Sequence, residues 1–208
     1  QEIYSCFEAH SRMNALSEDE ILKNLNSALE ETFLFLKKAS HVMITLGTSW
    51  IYKHVDQNEY VANCHKIPQK NFTKELSSVA ELEKSIQTSV EYIRQLNPDC
   101  QFVFTVSPIR HAKDGLVEST RSKSHLITAI HQVLEGENGL KYFPSYELMM
   151  DELRDYRFYA SDLLHPNQIA VNYIWERFQE TWLAEETLPV MKQVEQIRQG
   201  LSHRPFNP

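Results

Sequence analysis

The chain has 208 residues and a mass of 24.3 kDa, with 42% hydrophobic and 24% charged residues, enough for one globular domain with a sizeable core. A formal net charge of −7, with no basic patch visible in the sequence, argues against nucleic acid as a partner. No apolar run approaches the roughly 20 residues of a membrane span, and three cysteines (Cys6, Cys64, Cys100) without a close pair make neither a disulfide framework nor a zinc knuckle.

In chain order, Gln1-Glu2-Ile3 is short and polar, and the chain opens on Gln1 rather than Met, so an upstream segment is expected. The cysteine usage points to a reducing, cytoplasmic compartment. Ser17-Glu18-Asp19-Glu20 reads as a capping box. It opens a helix whose Ile21, Leu22, Leu25, Leu29, Phe33 and Leu36 follow the 3.6-residue period. Val42 to Leu46 reads as a buried strand ending at Gly47. Ser78 to Glu81 is a second capping box, opening a helix with Leu82, Ile86, Val90 and Ile93 that Asn97-Pro98 stops. Gln101 to Val106 is a second buried strand closed by Ser107-Pro108. A helix over about 123–135 and a short strand over 139–143 follow. A helix after Pro166 runs to about Leu183 with Ala170, Ile174, Phe178 and Trp182 on one face, and a final helix spans about 188–200. Continuous apolar strands between amphipathic helices predict a parallel sheet covered on both faces, hence an α/β fold. The expected boundaries are a domain over 1–184 and a C-terminal helix and tail over 185–208.

In an open α/β sheet the ligand crevice lies beyond the carboxyl ends of the strands. That rule selects Gly47-Thr48-Ser49-Trp50, Ser107-Pro108-Ile109-Arg110-His111, and the stretch leading to Ser161-Asp162-Leu163-Leu164-His165-Pro166-Asn167. All three are expected on one rim. An Asp and a His three residues apart can present a neutral imidazole as general base with a carboxylate orienting it. The other reading of the same residues is helix capping by Asp162 or Asn167, with Pro166 starting the helix. Gly47 either ends a strand or offers an N–H to an oxyanion. Arg110 and His111 are substrate-rim candidates, though Arg110 could instead pair with an acidic neighbour. The cluster Asp151, Glu152, Arg154, Asp155 and Arg157 reads as an ion-pair network. Nine histidines invite a metal reading, but no ligand spacing supports one, so neither metal nor cofactor is expected.

The segments Ile44 to Tyr52 (ITLGTSWIY), Val61 to Pro68 (VANCHKIP), Thr105 to Leu116 (TVSPIRHAKDGL) and Tyr142 to Asn167, in this order and spacing, resemble the GSCFA-domain family. That family is regarded as a branch of the SGNH/GDSL hydrolase superfamily. The resemblance implies a three-layer α/β/α, flavodoxin-like fold and an acyl-enzyme esterase. It assigns Asp162 and His165 to the base pair and Gly47 to the oxyanion donors. The superfamily's Asn two residues after that Gly is Ser49 here, and Asn63 is the candidate substitute donor, though it could equally be a turn residue. The family's nucleophile block is matched only loosely by Tyr4-Ser5-Cys6-Phe7. A nucleophile elbow needs a buried strand before it and a helix behind it, so Ser5 is not the favoured nucleophile. The first strands and the nucleophilic Ser are expected upstream of Gln1. The implied substrate is a small acyl ester on a carbohydrate or lipid, and the alternative is a non-catalytic ligand-binding module. A sheet lacking its first strands would leave an exposed edge, which predicts a homodimer or poor solubility.

Overall fold

The computed structural model describes residues 3–202, which divide into two units, Gln1–Glu147 and Leu148–Pro208. In the first unit, α1 (Glu18–Leu36) starts where the Ser17 hydroxyl accepts the Glu20 N–H. The Glu20 carboxylate reaches the Leu16 N–H rather than Ser17, so only half of the expected capping box forms. Along the apolar stripe of α1 only Ile21 is buried; Leu22, Leu29 and Phe33 lie exposed.

Three strands, β1 (His41–Leu46), β5 (Gln101–Val106) and β6 (Leu140–Tyr142), form a parallel sheet in the order β1-β5-β6. Val42, Ile44 and Leu46 share one sheet face with Phe102, Phe104, Val106 and Leu140. Ile86 and Val90 of α2 (Val79–Leu96) and Leu126, Ala129, Ile130 and Val133 of α3 (Gly115–Gly136) cover that face. The result is a mixed α/β fold with a parallel sheet flanked by helices, consistent with a three-layer α/β/α architecture. β5 is buried as its unbroken apolar run predicts, because in this sheet it is the strand with a neighbour on each side. β1 departs from the expectation of continuous burial. It is an edge strand, and Met43 on its other face is 59% exposed.

A second sheet was not foreseen. β2 (Trp50–His54), β3 (Glu59–Val61) and β4 (Phe72–Leu76) pair antiparallel in the order β3-β2-β4. Its signal was present in Asp56-Gln57-Asn58, a turn whose Asn58 takes a left-handed φ of 56°, which Asn tolerates. Phe7 packs edge-on to Phe72 and against His54. Its carbonyl accepts the Ala62 and Asn63 N–H groups, so the N-terminal segment is tied to this sheet.

α2 carries both halves of its capping box: the Ser78 hydroxyl accepts the Glu81 N–H, and the Glu81 carboxylate accepts the Ser78 N–H at 2.8 Å. Ser78→Ala is therefore expected to cost about 1 kcal/mol, read as a lower urea midpoint at unchanged slope.

In the first unit a short α4 (Ser145–Glu147) places the Ser145 hydroxyl against Thr105 and the Val106 carbonyl. The second unit begins with a π turn, Leu148–Glu152. Its core is Met149, Leu153, Tyr159 and Ala170, the last on α5 (Gln168–Trp182). α6 (Leu188–Ser202) follows. Among the described residues, no helix is long and apolar enough to cross a membrane.

Candidate active site

The loop before α5 is closed by a bridge between Tyr159 and Pro166, with the Ala160 N–H donating to the His165 carbonyl at 2.8 Å. Leu163, at its apex, has a φ of 59°. Asp162 divides its carboxylate between two tasks. Oδ1 accepts the Leu164 and His165 backbone N–H groups at 2.9 and 3.0 Å, and Oδ2 accepts from His165 Nδ1 at 2.6 Å. A carboxylate only accepts, so Nδ1 carries a proton, and in the neutral imidazole the lone pair is on Nε2. Nε2 has no hydrogen-bond partner among the described residues, and both side chains are open to solvent, His165 at 53% and Asp162 at 45%.

Helix capping is the work of another residue. Asn167 is the N-cap of α5: its Oδ1 accepts the Ile169 and Ala170 N–H groups at 3.1 Å, and its Nδ2 donates to the Arg157 carbonyl. Pro166 therefore precedes the cap and is not the first helical residue, because its backbone is held in the bridge to Tyr159. Asp162 is left to organise its own loop and to face His165.

Three hydrogen bonds, led by those from the two backbone N–H groups, hold the Asp162 carboxyl at a pKa of about 2, below its ordinary 3.8. A lowered carboxyl stabilises the folded loop fully above the unfolded value, and the contribution disappears as pH falls through the folded one. The Leu164 and His165 amide resonances are thus expected to report the Asp162 carboxyl through a transition with a midpoint near 2 in an NMR titration. A midpoint near 4 would contradict this geometry.

In the first unit the strand ends are joined by a residue that the sequence reading passed over. Lys123 of α3 is 2% exposed, and its ammonium donates to the Gly47 and Ser107 carbonyls, each at 2.6 Å. These carbonyls follow β1 and β5, so two of the expected rim segments are brought together. Burial lowers the Lys123 pKa to about 8. His111 lies beside Gly47: a Cβ added there would sit 4.0 Å from its Nε2. Burial, then the Lys123 charge, push the His111 pKa down, against opposing contributions from the Gly47 backbone and Asp114. The Leu46 carbonyl accepts the Ser107 N–H at 2.9 Å. Across a trans peptide the Gly47 N–H points the opposite way, away from β5, and it has no partner among the described residues.

Ser49 is fully buried and anchors the loop to α3. Its N–H and hydroxyl both reach the Ser122 Oγ, and its hydroxyl also donates to the Ser122 carbonyl. The Ser107 hydroxyl accepts the Ile109 N–H. Arg110 is half-buried next to His111. Asn63 lies elsewhere, where its Oδ1 accepts the His65 N–H in a turn. It lines a cleft of about 780 Å³ with Ser5, Ser11, Asn14, His65 and Lys66, to which neither Gly47 nor His111 contributes. Ser5 is in an irregular segment bridged from Tyr4 to Ala15, and among the described residues it has neither the strand nor the helix that an elbow needs. The expected acidic and basic network around residues 151–157 reduces to one exposed ion pair among the described residues, Asp155 with Arg157, because Glu152 is taken by the Tyr173 hydroxyl. Among the described residues no group of three or more His, Cys, Asp or Glu side chains could hold a metal ion.

The chain thus carries an α/β unit whose parallel strands end at Gly47 and Ser107 and, later in the sequence, an Asp-x-x-His loop. The sequence model of the GSCFA family matches residues 1–178, and the chain belongs to that family. No curated protein matches it.

Proposed function

We propose that the protein is a serine esterase of the SGNH type that hydrolyses a small acyl ester, with His165 as general base and Asp162 as its orienting carboxylate. The observation that carries this reading is the 2.6 Å bond from His165 Nδ1 to Asp162 Oδ2, made while Asn167 caps the helix. In that tautomer Nε2 takes the proton of a serine hydroxyl as its oxygen attacks the ester carbonyl, then returns it to the departing alcohol oxygen. Water repeats the sequence to release the acid and free the serine. The Gly47 N–H, without a partner among the described residues, is the oxyanion donor in this reading, a contribution of about 3 kcal/mol.

The nucleophile is not one of the serines at the candidate positions. Ser49 is sealed against Ser122, Ser107 receives the Ile109 N–H, and Ser5 lacks an elbow. We assign it to a residue outside the 208, on the family resemblance. A short acyl group on a carbohydrate or lipid is the substrate class, by superfamily analogy. The test is p-nitrophenyl acetate hydrolysis and fluorophosphonate labelling of the full gene product. Esterase activity and labelling that fall together on mutating His165 support the reading. Ligand binding without turnover would instead make the protein a non-catalytic module.

A further inference from the structure

A buried ammonium is costly unless it is paired, and among the described residues no carboxylate pairs with Lys123. Two main-chain carbonyls and the Tyr146 ring, 5.7 Å from Nζ, are its surroundings, together with the His111 imidazole. Asp114 and Lys74 are ion-paired with each other, and both charges act on the His111 imidazole. A tether between two carbonyls needs only a donor, which a neutral amide also supplies. What the lysine adds is positive charge in a place from which water is excluded, 2.6 Å from the Gly47 oxygen.

We propose that Lys123 is a positioning residue for the oxyanion: it holds the carbonyl of Gly47, the residue whose N–H is the proposed donor, and sets a desolvated positive charge at the end of β1. The proposal rests on the esterase reading above. A charge fixed in a low-dielectric site acts on developing negative charge more strongly than one in water and needs no reorganisation during the reaction. Because burial lowers the Lys123 pKa to about 8, this help is present at neutral pH and is lost as pH rises through that value.

The experiment compares the full gene product with its Lys123→Met and Lys123→Gln variants, using p-nitrophenyl acetate between pH 6 and 10. Gln keeps a donor for the carbonyls without the charge and serves if Met fails to fold. In the wild type, kcat/KM is expected to decline with a midpoint near pH 8. At pH 7 both variants should lose on the order of 30- to 100-fold in kcat with little change in KM, and the decline should vanish. Loss of the neighbouring charge should also raise the His111 pKa, read from its ring resonances. A Gln variant within threefold of wild type, with the decline intact, overturns the role of the charge while the esterase reading stands. An unmoved His111 pKa does the same. A wild type that hydrolyses no ester overturns both.

Discussion

His165→Ala is expected to reduce ester hydrolysis by the full gene product by about 10⁴-fold or more in kcat, with little effect on KM or on the thermal midpoint. The side chain is half exposed, so truncation opens no cavity in the core. Its one hydrogen bond is to Asp162 Oδ2, and the Ala backbone still offers its N–H to Asp162 Oδ1. The variant thus separates chemistry from folding. A serine hydroxyl without an adjacent base is a poor nucleophile at neutral pH. Fluorophosphonate labelling should fall with hydrolysis, since both need the activated hydroxyl. Equal rates for wild type and variant would remove His165 from the mechanism.

Asp162 gives the second large effect, and two substitutions divide its functions. Asp162→Asn keeps an oxygen for the Leu164 and His165 N–H groups, so the loop should persist. Its amide then meets Nδ1 as a donor, which moves the imidazole proton to Nε2 and removes the base. The rate should fall by about 10³- to 10⁴-fold with stability nearly unchanged. Asp162→Ala also removes the acceptor for two backbone donors, so its loss of rate should come with weaker amide protection across residues 160–166. If Asn hydrolyses at the wild-type rate, the carboxylate serves only the turn.

How far the sequence announced this structure depends on how local each signal was. Gln101–Val106 matches its apolar run end to end, since a central strand needs little beyond its own composition. The Ser78 box formed completely because its partners are three residues apart. The Asp162–His165 pair was legible for the same reason. Lys123 was not. It sits in register with Leu126 and Ile130 on the buried side of α3, yet the carbonyls that receive it lie 76 and 16 positions away. A lysine beginning an apolar stripe looks like the solvated edge of a helix until those strand ends are brought to it. Asn167 was legible as one of two capping candidates, but the sequence did not choose between it and Asp162 or show that Pro166 lies outside the helix. The bridge to Tyr159, which settles the matter, joins residues on either side of the loop.

Leu163 at φ 59° has one further consequence. A left-handed leucine costs about 1–2 kcal/mol, which glycine would not incur. The surrounding bonds, from Ala160 to His165 and from Asp162 to two amides, overcome that resistance when the chain folds. In the esterase proposal the loop would therefore meet a substrate with its freedom already surrendered, and none of the binding energy would be diverted to arranging the imidazole. A glycine at 163 would relieve the strain and return that freedom to the loop, exchanging a fixed geometry for a fluctuating one.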